Sequence, residues 1–295
     1  MPMVLRIPFS SYALVLLLVF SLAGCNKENG VPAYVAVNDV TVETDYLKEG
    51  SPSDNIHDVW FYAAGDELGV YELPAEVPVL KDGQTNLVMF AGIKRSGQTA
   101  TRVPYPFYDA YSHDTFLIRE NTLVERPVVK YRPNVAFPWL EHFEDLSFSF
   151  DSVAGSELGV SRISDPDLVL EGKGCAGVIL TPEADYFIGA STDAFKLPLF
   201  GNDVYLEIDY RTNLPFQILV RSYNADLVSY LSPVMVASPK TDDNGTVIWN
   251  KLYVYLTPVV SAQQNSVSHR VYIETTSNGG NGYLYLDNLK VVHFE

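Results

Sequence analysis

From Val31 onward the chain reads as a succession of short stretches with the period of an extended strand rather than of a helix, divided by turn residues. Val35, Val37 and Asp39 alternate with Tyr34, Ala36 and Asn38, and Val40-Thr41-Val42 continues the β-branched run. Further strands are expected at 58–62, 68–74, 77–80 and 86–93, with small turns at Ala64-Gly65-Asp66 and Lys81-Asp82-Gly83. The stretch Thr101-Arg102-Val103-Pro104-Tyr105-Pro106-Phe107-Tyr108 alternates proline with aromatic residues. A central strand does not tolerate that, so it belongs on an edge or in a loop, its rings packed on the sandwich or offered to a partner. Strands at 115–118 and 128–131 finish this half.

Pro133 and Pro138 then interrupt the pattern, and two prolines this close are expected to stop a strand and stiffen a connection. The second half is again β-patterned, with strands expected at 204–210, 216–223, 252–256, 271–275 and 283–286. Turns are expected at Asn213, Asp242-Asp243-Asn244-Gly245 and Asn278-Gly279-Gly280. No amphipathic helical stretch of useful length appears. The expectation is an all-β chain of two β-sandwich domains, residues 31–138 and 139–295.

Period two also sorts the second half into two sets of side chains. Val204, Leu206, Ile208, Phe216, Ile218, Val220, Leu252, Val254, Leu256, Val271 and Ile273 form a core. The opposite set holds Tyr205, Glu207, Asp209, Gln217, Leu219, Arg221, Tyr253, Tyr255, Arg270, Tyr272 and Glu274, with Tyr283 and Tyr285. Rings mixed with planar charged and amide groups suit a sugar, whose C–H face stacks on an aromatic ring while its hydroxyl rim takes hydrogen bonds. Arg221, Tyr253, Tyr255, Arg270 and Tyr272 are therefore the candidate ligand contacts. Trp249, just after the Asn244-Gly245 turn, is a further candidate at the rim or in the core. Tyrosines on half-exposed strands equally serve cross-strand packing or a protein contact.

The N-terminus adds an address. Tyr12 to Leu22 is apolar, preceded by Arg6 and too short to span a bilayer, and it ends in Leu22-Ala23-Gly24-Cys25. This motif resembles the lipobox of bacterial lipoproteins. The resemblance implies a signal peptide over residues 1–24, acyl chains on Cys25, and a lipidated Cys and polar tether over 25–30. Asn26 rather than Asp at the second mature position implies the outer membrane by the sorting rules of that family, and Lys27-Glu28 is similar to signals of surface display. The formal charge is −16 and becomes −17 without the leader, which carries Arg6 and no acid. So acidic a surface disfavours nucleic acid and charge-driven contact with anionic headgroups, leaving acyl chains as the membrane contact. With Cys25 lipidated, Cys175 has no partner, and its apolar surroundings in sequence read as a buried small hydrophobe.

Residues 57–97, with Leu68-Gly69-Val70-Tyr71-Glu72-Leu73-Pro74 between turns, look like the PEGA type of prealbumin-like or immunoglobulin-like sandwich, which implies a spacer. An opening Phe143-Glu144 and a closing Leu286-Asp287-Asn288-Leu289-Lys290-Val291 resemble the first and last strands of carbohydrate-binding jelly rolls and galactose-binding-like sandwiches over residues 141–295. First and last strands of such sandwiches lie close, so Glu144 and Asp287 are candidate ligands of a structural Ca²⁺. Catalytic signals are absent. The five histidines lack ligand spacing, and neither a Gly-x-Ser-x-Gly elbow nor a phosphate loop occurs. Paired carboxylates for a glycoside hydrolase would come from distant strands and leave no local mark. The expectation is a non-catalytic surface lipoprotein that binds a glycan or, alternatively, serves as an accessory subunit of an outer-membrane transport, secretion or adhesion complex.

Overall fold

The computed structural model describes residues 30–226 and 228–295, so Cys25 and the lipobox lie outside the described residues. The first half contains β1 (Ala33–Val37), β2 (Thr41–Glu43), β3 (Asp58–Ala63), β4 (Asp66–Glu72), β5 (Ala75–Val79), β6 (Gly83–Lys94), β7 (Arg102–Pro104), β8 (Tyr111–Leu117), β9 (Thr122–Glu125) and β10 (Val128–Lys130), with one helical turn, α1 (Tyr46–Glu49). The twelve residues of β6 are the axis of this half. They pair with β3 along one edge and with β7 and β8 along the other. Only glycine fits at position 92, because a Cβ there would stand 2.9 Å from Asp58 Cβ on the neighbouring strand. A second layer, β5-β1-β9 with the pair β10-β2 beside it, packs Val35, Val37, Val77 and Val79 into the same core as Phe61, Leu87 and Met89.

The second half contains β11 (Val135–Glu141), β12 (Phe150–Ser152), β13 (Ser161–Ile163), β14 (Cys175–Leu180), β15 (Tyr186–Ser191), β16 (Val204–Thr212), β17 (Phe216–Asn224), β18 (Ser229–Ala237), β19 (Asn250–Tyr255), α2 (Thr257–Ala262), β20 (Ser266–Thr276) and β21 (Gly282–Phe294). They form a six-stranded sheet, β13-β14-β21-β16-β19 with β11 also on β21, and a five-stranded sheet, β12-β15-β20-β17-β18. All eleven residues of the expected core set are buried between these sheets. The chain is therefore all-β and built of packed sheets. Among the described residues, no helix is long and apolar enough to cross a membrane.

Two expectations about the chain path are corrected. Pro138 does not stop a strand: β11 runs through it and pairs with β21 across a bulge between Ala136 and Trp139. The proline sits exposed at that irregularity, where no ladder N–H is needed. The expected domain boundary thus falls inside a strand of the six-stranded sheet. The Pro-aromatic stretch is an edge as expected, since β7 takes only three residues. Its rings, Tyr105, Phe107 and Tyr108, are buried against Tyr205, Tyr253 and Phe294 of the second half.

That contact is also ionic. Glu207, fully buried on β16, lies 3.1 Å from Lys251 Nζ and accepts hydrogen bonds from the Tyr105 and Tyr131 hydroxyls at 2.7 and 2.6 Å. Lys290 Nζ donates to the carbonyls of Glu49 and Ser51 at 2.7 and 2.9 Å. Asp209 accepts from Ser53 Oγ at 2.7 Å and Asn288 Nδ2 at 3.1 Å. Burial alone raises the Glu207 carboxyl, but Lys251, Lys290 and the two phenols outweigh it and hold it below its ordinary value. Burial likewise lowers Lys251, and Asp209 and Glu207 outweigh that and raise it. Lys251→Met leaves Glu207 without its close cation and is expected to cost about 3–5 kcal/mol, whereas the double change with Glu207→Gln recovers part of the loss. Urea unfolding of the parent, the two single variants and the double variant checks this, and an additive double variant would be the contrary result.

Candidate functional site

The outward set of the second half does not make one surface. Residues of the same parity lie in two different sheets, and the two sheets present their outer faces in opposite directions. Tyr205, Glu207, Asp209, Tyr253 and Tyr255 lie on the six-stranded sheet, beneath the first half of the chain. Tyr253 is only 1% exposed, and its hydroxyl is 3.5 Å from that of Tyr108. Tyr255 is covered by the Arg95 guanidinium, 4.3 Å from the ring centroid. The loop carrying Arg95 also caps the edge of β19, with Ser96 N–H donating to Tyr253 O at 2.8 Å. Gly97 follows with φ +70°, and a Cβ there would meet Leu252 Cδ2 at 2.9 Å. Tyr253 and Tyr255 are therefore packing residues of an internal junction.

Arg221, Arg270 and Tyr272 are brought together, on the outer face of the five-stranded sheet. The register of β17, β20 and β15 lays that face out in rows. Ala190, Tyr272 and Leu219 form one row, Ile188, Glu274 and Gln217 the next, and Arg270 stands directly opposite Arg221 on the other side of Tyr272. Ile188, Ala190, Leu219 and Tyr272 form a small apolar cluster of their own on this face. Tyr272 is 5% exposed because both guanidiniums lie against its ring, with Cζ 5.0 Å (Arg221) and 5.5 Å (Arg270) from the centroid. It is a floor beneath the arginines rather than an open stacking platform.

Around this floor the polar groups are only partly engaged. Arg270 Nε donates to Ser191 O at 2.5 Å and Arg221 Nη1 to Ser229 Oγ at 3.2 Å, while Arg221 Nε is buried without a partner. The Tyr186 hydroxyl donates to Glu274 Oε2 at 3.1 Å. Tyr223 stands at the arginine end, where burial and then Tyr272 raise its phenol while Arg270 pulls it down. Tyr186 and Tyr223 were missed in the sequence, although Tyr223 continues the parity of Gln217, Leu219 and Arg221.

Trp249 joins neither group. Its indole N–H donates to Leu168 O at 3.2 Å at the end of the six-stranded sheet. Cys175 is buried and unpaired, and burial pushes its thiol up to about 12, which removes it from nucleophilic chemistry near neutral pH. Glu144 is engaged by the Lys173 N–H at 2.9 Å to one carboxylate oxygen and 3.0 Å to the other. Asp287 is buried with Oδ2 unpartnered, and burial, followed by Asp209, Glu171 and Glu144, raises its carboxyl to about 9 although the Asn288 N–H pulls it down. Among the described residues, no three His, Cys, Asp or Glu side chains are grouped so as to hold a metal ion. A separate cleft of about 400 Å³ lies between the halves, lined in part by Asn55, His57, Lys94, Lys240 and Asn250.

No protein-family model matches the chain, and no curated protein matches it. Solved structures with a similar fold over part of the chain include a xylan-binding domain described as CBM 22, formally x6b. It has 13% identity and a TM-score of 0.38, covering 54% of this chain and 95% of that one. The CBM22-1 xylan-binding domain of Paenibacillus barcinonensis Xyn10C has 16% identity and a TM-score of 0.37, covering 54% of this chain and 95% of that one. TmCBM61, solved in complex with β-1,4-galactotriose, has 8% identity and a TM-score of 0.31, covering 50% and 87%.

Proposed function

We propose that the chain is a non-catalytic, lipid-anchored protein of the outer membrane that binds a glycan on the outer face of its five-stranded sheet. The observation that carries the reading is the arrangement on that face. Two guanidiniums are held by one tyrosine floor, with further hydrogen-bonding groups (Tyr223, Gln217, Glu274, Tyr186) spaced along adjacent strands. Such a surface offers fixed planar donors and acceptors to a polyhydroxyl chain. The ligand contacts proposed are therefore Arg221 and Arg270 over Tyr272, without Tyr253, Tyr255 or Trp249.

The accessory-subunit reading has its own support. β18 is an outermost strand, and Tyr230, Leu231 and Val236 on it are 53%, 37% and 58% exposed, an apolar edge of the kind that adds a partner strand. An affinity gel run with the form lacking residues 1–25 separates the two. Arg221→Ala and Arg270→Ala should each weaken retention about tenfold, as expected for a lost charge-assisted hydrogen bond, while Tyr255→Ala leaves it unchanged. Retention unaffected by either arginine would overturn the assignment.

Anchoring rests on Leu22-Ala23-Gly24-Cys25. Cys25→Ala should leave the leader uncleaved and the protein without acyl chains. A mature protein still sedimenting with membranes would count against the lipid.

A structural Ca²⁺ held by Glu144 and Asp287 is proposed alongside. Its support is the unpartnered, buried Asp287 Oδ2 in the charge field of Glu144, Glu171 and Asp209, since Ca²⁺ takes such oxygens. An Asp raised from 3.8 to about 9 favours folding while it is protonated, and that contribution is lost as pH rises through this range. With chelator the Tm should therefore fall between pH 5 and pH 9, and millimolar Ca²⁺ should restore it chiefly at the alkaline end. No effect of Ca²⁺ at any of these pH values would exclude the site.

A further inference from the structure

We infer that the Arg221–Arg270 pair is an anion site, so that the ligand of this face carries acidic sugars bearing a carboxylate or a sulfate ester. The inference rests on the glycan reading above and adds the charge of the ligand. Like charges placed directly opposite on neighbouring strands destabilise a sheet, and here two arginines are register partners. A counter-ion would be easy to supply in a chain with 36 acids and 20 lysines and arginines. Yet no ion pair among the described residues involves either arginine. Two acids share the face by register and neither stands in the arginine row: Glu274 is opposite Gln217 and accepts from Tyr186, and Asp151 is opposite Ala190, two strands from Tyr272.

The guanidiniums are nonetheless held in place. Tyr272 lies under both, Ser191 O and Ser229 Oγ each fix one nitrogen, and Arg221 Nε is left buried with nothing to bond. Each guanidinium has five N–H donors, of which one is hydrogen-bonded on each, and Tyr223 lies beside Arg270. Two guanidiniums over one ring suit the planar oxygens of a carboxylate or the oxygens of a sulfate, which accept paired N–H bonds. A neutral sugar satisfies the hydrogen bonds but leaves the repulsion between the arginines in place.

The test uses the mature full-length chain in detergent at 150 mM salt, where the Debye length of about 8 Å screens the overall negative charge. Polygalacturonate is compared in affinity gels with the same polymer fully methyl-esterified, which keeps the backbone and removes the charge, and a sulfated galactan with neutral galactan. Retention should be at least tenfold stronger on one of the charged members than on its neutral counterpart. Arg221→Gln and Arg270→Gln should each abolish that difference, with Arg221→Lys restoring it only in part because an ammonium has no fork. The ester comparison on the parent protein decides the matter even where a variant fails to fold. Equal retention on charged and neutral polymers overturns the anion site and leaves the glycan reading standing. Charge preference that survives both arginine changes places the anion elsewhere and also overturns it. No retention on any polymer removes both readings.

Discussion

The structure depends on the burial of four charged groups at the junction between the two halves of the chain. Glu207, Asp209, Lys251 and Lys290 all project from the outer face of the six-stranded sheet, each at most 4% exposed. Several of the groups that satisfy them come from the other side: the Tyr105 and Tyr131 hydroxyls, the Ser53 hydroxyl, and the carbonyls of Glu49 and Ser51. Parting the halves would leave these charges with fewer partners, and an unpaired buried charge costs several kcal/mol. The aromatic contacts around them add apolar area, but the hydrogen bonds set the register, since a shift of one residue would misplace donors that act at 2.6–2.9 Å. The same contact decides where a ligand goes. With one sheet covered, the outer face of the other is the broad one left open.

Much of this was legible in the alternation of residue types. Period two identified the core of the second half, because a side chain between two packed sheets has no alternative to being apolar. It could not say which sheet each strand joins. Arg221 and Tyr253 share a parity, yet β17 and β19 belong to opposite layers, so one apparent surface was two. A chemical signal did exist for the covered one. Glu207 and Asp209 have Lys251 at a matching parity on the strand that pairs with β16, and complementary charges facing each other across a ladder fit an internal network better than a sugar surface.

Lys290 was hidden for a different reason. The pairing of β16 with β21 shifts between Glu207 and Asp209, and opposite it Asn288 adopts φ +48°, which an Asn tolerates better than most residues. The extra residue reverses the alternation, so that Leu284 and Leu286 enter the core before it and Leu289 and Val291 after it. A strict period of two would have pointed Lys290 the wrong way. Pro138 misled similarly, because a proline at a bulge on β11 is indistinguishable in sequence from one that ends a strand.

The thirteen residues of β21 lie in the middle of the larger sheet, bonded to β16 on one side and to β14 and β11 on the other. Without it the sheet would divide into β13-β14, β16-β19 and a lone β11, because none of these pairs with another. One strand thus carries the continuity of a whole layer, and a change that weakens its pairing is felt on three neighbours at once.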